Sequence, residues 1–182
     1  MIDSIVIMSD RVKLREKKAA DAARDFAWQS DAELAELDAA PRTSISYQIY
    51  LSEYIRDIRF PISTRRRFAI ETLDDIHIGN CIYYSIDEKR GETELGIMIG
   101  HRDYWDRGYG TSAVNALVGH IFQQTRLNRI YLKTLETNTR ARKCFARCGF
   151  VPYGHMRRDG YSFLLMELYR YQWPPSLTQQ PI

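Results

Sequence analysis

The pentapeptide Arg107-Gly108-Tyr109-Gly110-Thr111 concentrates the features best suited to holding a ligand. Two glycines one residue apart let a backbone turn tightly and approach a bound molecule closely, because no Cβ intervenes. An amphipathic segment follows at once, with Ala113, Val114, Leu117, Val118, Ile121 and Phe122 on one face. A helix starting there presents unpaired N–H groups and the positive end of its dipole, an arrangement that suits a pyrophosphate. Two familiar nucleotide fingerprints do not fit. A dinucleotide-binding turn needs a third glycine where Ala113 stands, and a P-loop needs a Gly-Lys-Ser/Thr ending that this turn lacks.

Other reactive residue types are scattered. Cys144 and Cys148 lie four apart, as two packed thiols on one helix do, with no further Cys or His at metal-ligand spacing. His77, His101, His120 and His155 form neither a metal set nor a triad, so no metal is expected. Arg65-Arg66-Arg67 is too short a basic run for nucleic acid and reads as a solvated loop.

The elements around the glycine turn follow from periodicity. Val12 to Arg15 alternates apolar and charged residues, as a half-buried strand does. Three helical stretches follow: Lys18 to Trp28, Asp31 to Asp38 behind a Ser-Asp cap, and Ser44 to Arg59, which Pro61 stops. From Arg67 the period changes to two. Strands over Phe68–Leu73, Ile76–Ile86 and Thr93–Ile99, joined by polar turns, read as an antiparallel meander leading to the glycine turn. A strand over Arg129–Leu135, a helix over Asn138–Cys148 closed by Gly149, and a strand over Tyr161–Leu168 complete a mixed α/β chain. Residues 1–173 read as a single domain and residues 174–182 as a loose tail.

With 182 residues, 45% hydrophobic and 27% charged, the composition is that of a globular protein. No stretch approaches the ~20 uninterrupted apolar residues of a membrane span. The start has neither the basic opening nor the apolar run of a secretion signal. Three cysteines are too few and too odd in number for a disulfide framework, so a reduced, cytoplasmic protein is expected, with no membrane partner. The net charge of +3 conceals an asymmetry. Residues 1–90 carry 14 Lys/Arg against 16 Asp/Glu, and residues 91–182 carry 12 against 7. Between Asp21 and Asp57, eight acids face only Arg24, Arg42 and Arg56. Such a split suits an anionic ligand at one end and a cationic one at the other, or simply two solvated faces.

Three stretches carry a resemblance: Glu94-Leu-Gly-Ile-Met-Ile-Gly100, Tyr104-Trp-Asp-Arg-Gly-Tyr-Gly-Thr111, and Asn138-Thr-Arg-Ala-Arg-Lys-Cys-Phe-Ala-Arg-Cys-Gly-Phe150. Together they resemble the GCN5-related N-acetyltransferase (GNAT) superfamily, and within it the RimJ/RimL-like and spermidine-acetyltransferase-like branch. The likeness runs from about Val12 to Trp173. It implies an α+β fold with a mixed, mostly antiparallel central sheet and flanking helices. It also implies acetyl transfer from acetyl-CoA to a primary amine, by direct attack within a ternary complex. By the same resemblance the amides of Arg107, Gly108, Tyr109, Gly110 and Thr111 would hold the pyrophosphate. The main chain of Ile97, Met98 and Ile99 would pair with pantetheine, and Asn138 would contact its arm. Arg140, Arg142 and Lys143 would neutralise the 3′-phosphate or form a solvated helix face. Trp105 stands where the wider superfamily has Gln or Arg, so the turn amides must do most of the binding.

The chemistry needs a base, because an alkylammonium with a pKa of ~10.4 must lose a proton before it attacks a thioester. Two acid/base groups common in relatives are replaced: the tyrosine of the Asn-x-x-Ala-x-x-x-Tyr helix by Phe145, and a glutamate five residues before the motif asparagine by Lys133. Glu94 is the first candidate base, Glu136 the second, and Tyr131 an acid if its side chain points inward. A non-catalytic acyl-CoA-binding module is the alternative. The acceptor enters near the first helical region in relatives, so Glu33, Glu36 and Asp38 are expected to contact a cationic substrate, either a protein N-terminus or a polyamine-like amine. The resemblance also allows a homodimer.

Overall fold

The period-two segments pair into one eight-stranded sheet in the computed structural model, which describes residues 5–173. The strands are β1 (Val6–Met8), β2 (Val12–Glu16), β3 (Arg65–Thr72), β4 (His77–Asp87), β5 (Glu92–Ile99), β6 (Arg129–Leu135), β7 (Val151–Arg158) and β8 (Tyr161–Tyr169). Their order is β1-β2-β3-β4-β5-β6-β8-β7, and every neighbouring pair is antiparallel except β5 and β6. The helices are α1 (Ala22–Ser30), α2 (Ala32–Leu37), α3 (Tyr47–Arg59), α4 (Tyr109–Gln124) and α5 (Thr139–Arg147). The mixed, mostly antiparallel sheet with flanking helices is therefore present as expected. The tail expected over residues 174–182 lies outside the described residues.

Two strands had no sequence signal. The three residues of β1 are too few to show a period, and β7 is an edge strand exposed along most of its length. Pro152 and Gly154 interrupt β7, and its register against β8 shifts between them. Elsewhere the boundaries follow local chemistry. Ser46 accepts a hydrogen bond from the Ile49 amide to start α3, and Asp31 accepts one from Leu34 to start α2.

Alternation assigns the two sheet faces. Val12 and Leu14 of β2, Phe68 and Ile70 of β3 and Leu95 of β5 bury against α4, whose Leu117, Val118 and Ile121 are fully buried. Each such side chain contributes about 1.5–3 kcal/mol relative to exposure. On the opposite face α1 and α3 meet through Ala22, Tyr50 and Tyr54. There the intervening β2 positions are charged. Arg15 donates to both oxygens of Asp21 at 2.7 Å and to Glu71 at 2.6 Å, with all three side chains below 10% exposed. Two residues further on, Lys17 pairs with Asp25 of α1 at 2.5 Å. These ion pairs fix the start of α1 to the sheet.

Burial alone would raise Asp21, but hydrogen bonds from Arg15 and the Lys18 amide outweigh it and hold the carboxyl down at about 2. A depressed folded pKa gives stability that is complete above the unfolded value and is lost as pH falls below it. Asp21 therefore contributes fully above about pH 4 and progressively less toward pH 2. Asp21→Asn is expected to cost about 3 kcal/mol at pH 7, because Arg15 stays buried with part of its charge unpaired. Urea unfolding of both proteins between pH 2 and 7 measures this, and the difference between them should shrink at the acid end.

Candidate active site

The site begins where the sheet opens. β5 and β6 run parallel and share only the register Glu92↔Arg129, Thr93↔Ile130 and Glu94↔Tyr131. Beyond that rung β5 continues along β4 to Ile99, while β6 continues along β8 to Leu135. The edge of β5 from Leu95 to Ile99 thus turns main-chain groups toward a gap rather than a strand.

A cleft of 340 Å³ occupies this opening. Ile97, Met98 and Ile99 form one side, Gly108, Gly110 and Thr111 the second, and Asn138, Arg140 and Lys143 the third. Gly108 caps α4 with φ +84°, a left-handed conformation that penalises a Cβ. The first helical hydrogen bond runs from the Ser112 amide to the Gly108 carbonyl at 2.9 Å, so the amides of Tyr109, Gly110 and Thr111 precede the helical ladder. Arg107 and Tyr109 lie outside the residues lining the cleft, and their side chains are engaged elsewhere. The Arg107 guanidinium donates to the Asp103 carbonyl, and the Tyr109 ring packs edge-on to Tyr104. Asn138 caps α5 by accepting from the Ala141 amide at 3.1 Å, which leaves its NH₂ group to donate.

Two features of this cleft were not read from the sequence. Trp105 donates its indole N–H to the Ile99 carbonyl at 2.6 Å and lies beneath the Arg140 guanidinium, 3.5 Å from the ring centroid. It ties the glycine turn to the end of β5 and orients a cation over the cleft. Arg147 lines the cleft as well, whereas Arg142 donates to the Glu136 carbonyl and lies outside the lining. Arg140, Lys143 and Arg147 recur at intervals of three and four, the spacing of one helix face, and that was the available signal.

A second cleft of 710 Å³ adjoins the first and shares Asp38, Ile97 and Met98 with it. Its walls come from α1 and α3 through Trp28, Tyr50 and Tyr54, and from β4 through Asn80 and Tyr84. Trp28 lies flat against Gly100, where a Cβ would come within 2.2 Å of the indole. Asp38 follows α2 and stands at the junction of the clefts. Its side chain is exposed to water at the cleft, while the protein packed around it still disfavours the charged form. That effect, only partly offset by Lys133, pushes its carboxyl up to about 6.

The other carboxylates are placed differently. Glu94 sits at the last β5–β6 rung, ion-paired with Lys133 at 2.8 Å, and near the Tyr84 phenol, which burial first and Glu94 next push up. Tyr131, across that rung, has its phenol raised by burial and then by the Glu94 charge. Glu136 pairs with His155 at 2.5 Å on the far side of β6. Glu33 binds Arg102 at 2.8 Å and Glu36 is exposed, and both lie outside the residues lining the two clefts. Of the six acids and phenols expected to act, the structure brings Asp38 alone to the junction. Among the described residues no cluster of His, Cys, Asp or Glu is arranged to hold a metal ion, and no helix is long and apolar enough to cross a membrane.

The two glycines of the turn should respond differently to alanine. Gly108→Ala is expected to cost about 1–2 kcal/mol in urea unfolding, because the residue is left-handed. Gly110→Ala is expected to leave stability unchanged or raise it, since its Cβ would meet only Cys144 and Ile99 at 3.6 and 3.8 Å.

Comparison with known proteins agrees with this geometry. A family model described as an acetyltransferase (GNAT) domain matches residues 11–151. An uncharacterized N-acetyltransferase p20 of Bacillus licheniformis is 28% identical over 152 residues, covering 83% of this chain and 85% of its own. The spermine/spermidine N(1)-acetyltransferase of Bacillus subtilis is 29% identical over 85 residues, 47% of this chain and 56% of that protein. The spermidine N-acetyltransferase of Vibrio cholerae, crystallised with CoA and spermine, superposes with a TM-score of 0.79 at 19% identity, covering 88% of this chain and 96% of the other. Mycobacterium smegmatis RimJ, in complex with CoA-disulfide, gives 0.74 at 20% identity over 95% of this chain and 90% of its own. The chain belongs to the GNAT acetyltransferase family and is an acyl-CoA-dependent acetyltransferase.

Proposed function

We propose that this enzyme moves an acetyl group from acetyl-CoA to the primary amine of an acceptor held in the 710 Å³ cleft, by direct attack in a ternary complex. The observation that carries this reading is the meeting of the two clefts at Asp38, Ile97 and Met98. A thioester laid along β5 and an amine in the second cleft would come together there and nowhere else along the shared wall.

The residues present fit CoA. The amides of Tyr109, Gly110 and Thr111, at the positive end of the α4 dipole, would hold the pyrophosphate. The open edge of Ile97 to Ile99 offers main-chain donors and acceptors to the amides of pantetheine, and Asn138 offers a side-chain donor. Arg140, Lys143 and Arg147 supply positive charge for the 3′-phosphate.

Asp38 replaces the missing base. Position 133 is a lysine, and that lysine holds Glu94 in an ion pair, so neither supplies a free carboxylate. Asp38 is free to take the proton, with a carboxyl at about 6 that is ionised at pH 7 and still more basic than an ordinary aspartate. Acetyl-CoA supplies the activated acetyl group: the ammonium first gives one proton to Asp38, which releases it to water, and the neutral amine then attacks, so that the C–N bond forms, the C–S bond breaks, the nitrogen's second proton passes to Asp38 and the thiolate takes one from solvent. Main-chain N–H groups on the open edge of β5 stabilise the negative charge on the carbonyl oxygen. Phe145 has no proton to give. The thiolate leaves without an acid because its conjugate thiol has a pKa near ~8.5.

Acetyl-CoA at about 100 Kd should stabilise the protein by about 2.7 kcal/mol, read as a rise in Tm; no rise would overturn the cofactor assignment. Asp38→Asn is expected to lower kcat/KM by about 10²–10⁴ while sparing the affinity for CoA. The wild-type rate should fall below about pH 6 as Asp38 takes up its proton, and that limb should vanish in D38N. Arg140→Ala combined with Lys143→Ala should weaken CoA by at least about tenfold and dephospho-CoA by less, measured by calorimetry.

A further inference from the structure

The charges of the acceptor cleft do not suit a polycation. It is lined by the carboxylates Asp25 and Asp38 and by the cations Lys17, Arg42 and Arg67. Asp25 is fully engaged inside the wall, its side chain 3% exposed. It takes Lys17 at 2.5 Å, the Tyr54 hydroxyl at 2.8 Å and the Asn80 amide at 2.8 Å. The Lys17–Asp25 pair is therefore neutral and has no oxygen left for a ligand. Asp38, at the junction with the cofactor cleft, is the negative charge that remains.

Away from the junction the cleft is positive. Arg42 is exposed at its rim and has no carboxylate partner among the described residues. Arg67 donates to Asp57 Oδ2 at 3.1 Å, but Arg65 donates to the same oxygen at 3.0 Å. One carboxylate serving two guanidiniums leaves one positive charge uncompensated. A diamine or polyamine with one nitrogen at Asp38 would hold its remaining ammonium groups near Arg42 and Arg67. An acceptor with a carboxylate at its far end meets complementary charge at both ends, and a guanidinium binds a carboxylate through two parallel hydrogen bonds. The volume of 710 Å³ is that of a small-molecule site.

We propose that the acceptor is a small amine that also bears a carboxylate, with its amino group at Asp38 and its carboxylate on Arg42 and Arg67. This rests on the acetyl-transfer reading for the reaction, but the charge preference is measurable by binding alone. The probes are aminocaproate and cadaverine, equal in chain length and opposite in the charge of the far group, together with free α-amino acids and spermidine. Calorimetric titration into CoA-saturated protein is expected to show the carboxylate-bearing amines binding at least about tenfold tighter than cadaverine or spermidine. Arg42→Glu, a change at an exposed unpaired side chain, should erase or reverse that preference and leave the affinity for CoA within about twofold. Tighter binding of cadaverine or spermidine, failure of every carboxylate-bearing amine to bind, or an unchanged preference in R42E would each overturn the proposal. If the carboxylate-bearing amines bind and release no CoA from acetyl-CoA, the charge preference stands and the acetyl-transfer reading falls. If diamines bind tighter and are acetylated, the reverse holds.

Discussion

Everything in this site follows from two parallel strands that cannot stay together. β5 and β6 share three rungs and then diverge, because β5 is held along β4 to its end while β6 is held along β8. Divergence leaves a sheet interior with an open edge. Main-chain N–H and C=O groups left without a partner in a dry interior are costly, so such an edge persists only where water or a ligand satisfies it. The gap is in this sense a strand-shaped vacancy in the ladder, and an extended amide-bearing molecule such as pantetheine is the chemical complement of a strand. The glycine turn and α4 sit at its wide end because the chain must leave β5 there, and Trp105 pins the exit by bonding to Ile99.

In the proposed mechanism the same divergence lets the base come from another element while the reaction stays in place. Lys133 and Glu94 face one another across the opening, one on each strand, and neutralise each other at 2.8 Å. A carboxylate on β6 is thereby replaced by a cation. The replacement is compatible with chemistry because Asp38 reaches the junction from the opposite layer, where Lys133 also lies close enough to moderate its charge. Asp38, the proposed base at the end of a short helix, is set by the packing of α2 rather than by the sheet. Leu34 and Ala35 of α2 are buried, which holds that helix, and with it Asp38, in place.

The sheet and the cofactor side were legible because their signals are local. Period-two runs gave six strands, and Asp31 and Asn138 announced helix starts by chemistry that acts within one turn, whereas α3 starts behind Ser46 and not at Ser44. The glycine turn was legible for the same reason, since a left-handed Gly108 and a helix start are neighbours in sequence. The acceptor side was not legible, because its charges are decided by partners far away in the chain. Glu33 looks available in sequence, yet Arg102, 69 residues later, binds it. Glu94 looks like a base until Lys133 is found 39 residues on. Asp38 reads in sequence as a substrate contact no different from Glu33 and Glu36, and what separates it from them is purely spatial.

The acidic segment therefore illustrates why a charge count over consecutive residues is a poor guide to a binding surface. Of the eight acids between Asp21 and Asp57, several are already matched to cations from elsewhere. Asp21 is bound to Arg15, Asp25 to Lys17, Asp31 and Glu33 to Arg102, and Asp57 to Arg65 and Arg67. What the segment contributes to the cleft is the remainder after pairing, namely Asp38 on one side and Arg42 on the other. The sign of a site is set by which charges have no partner. For a lysine or arginine inserted into an acidic stretch, the decisive question is whether folding consumes the acids around it. Here folding consumes most of them, and the cleft that looks anionic in sequence is bipolar in space.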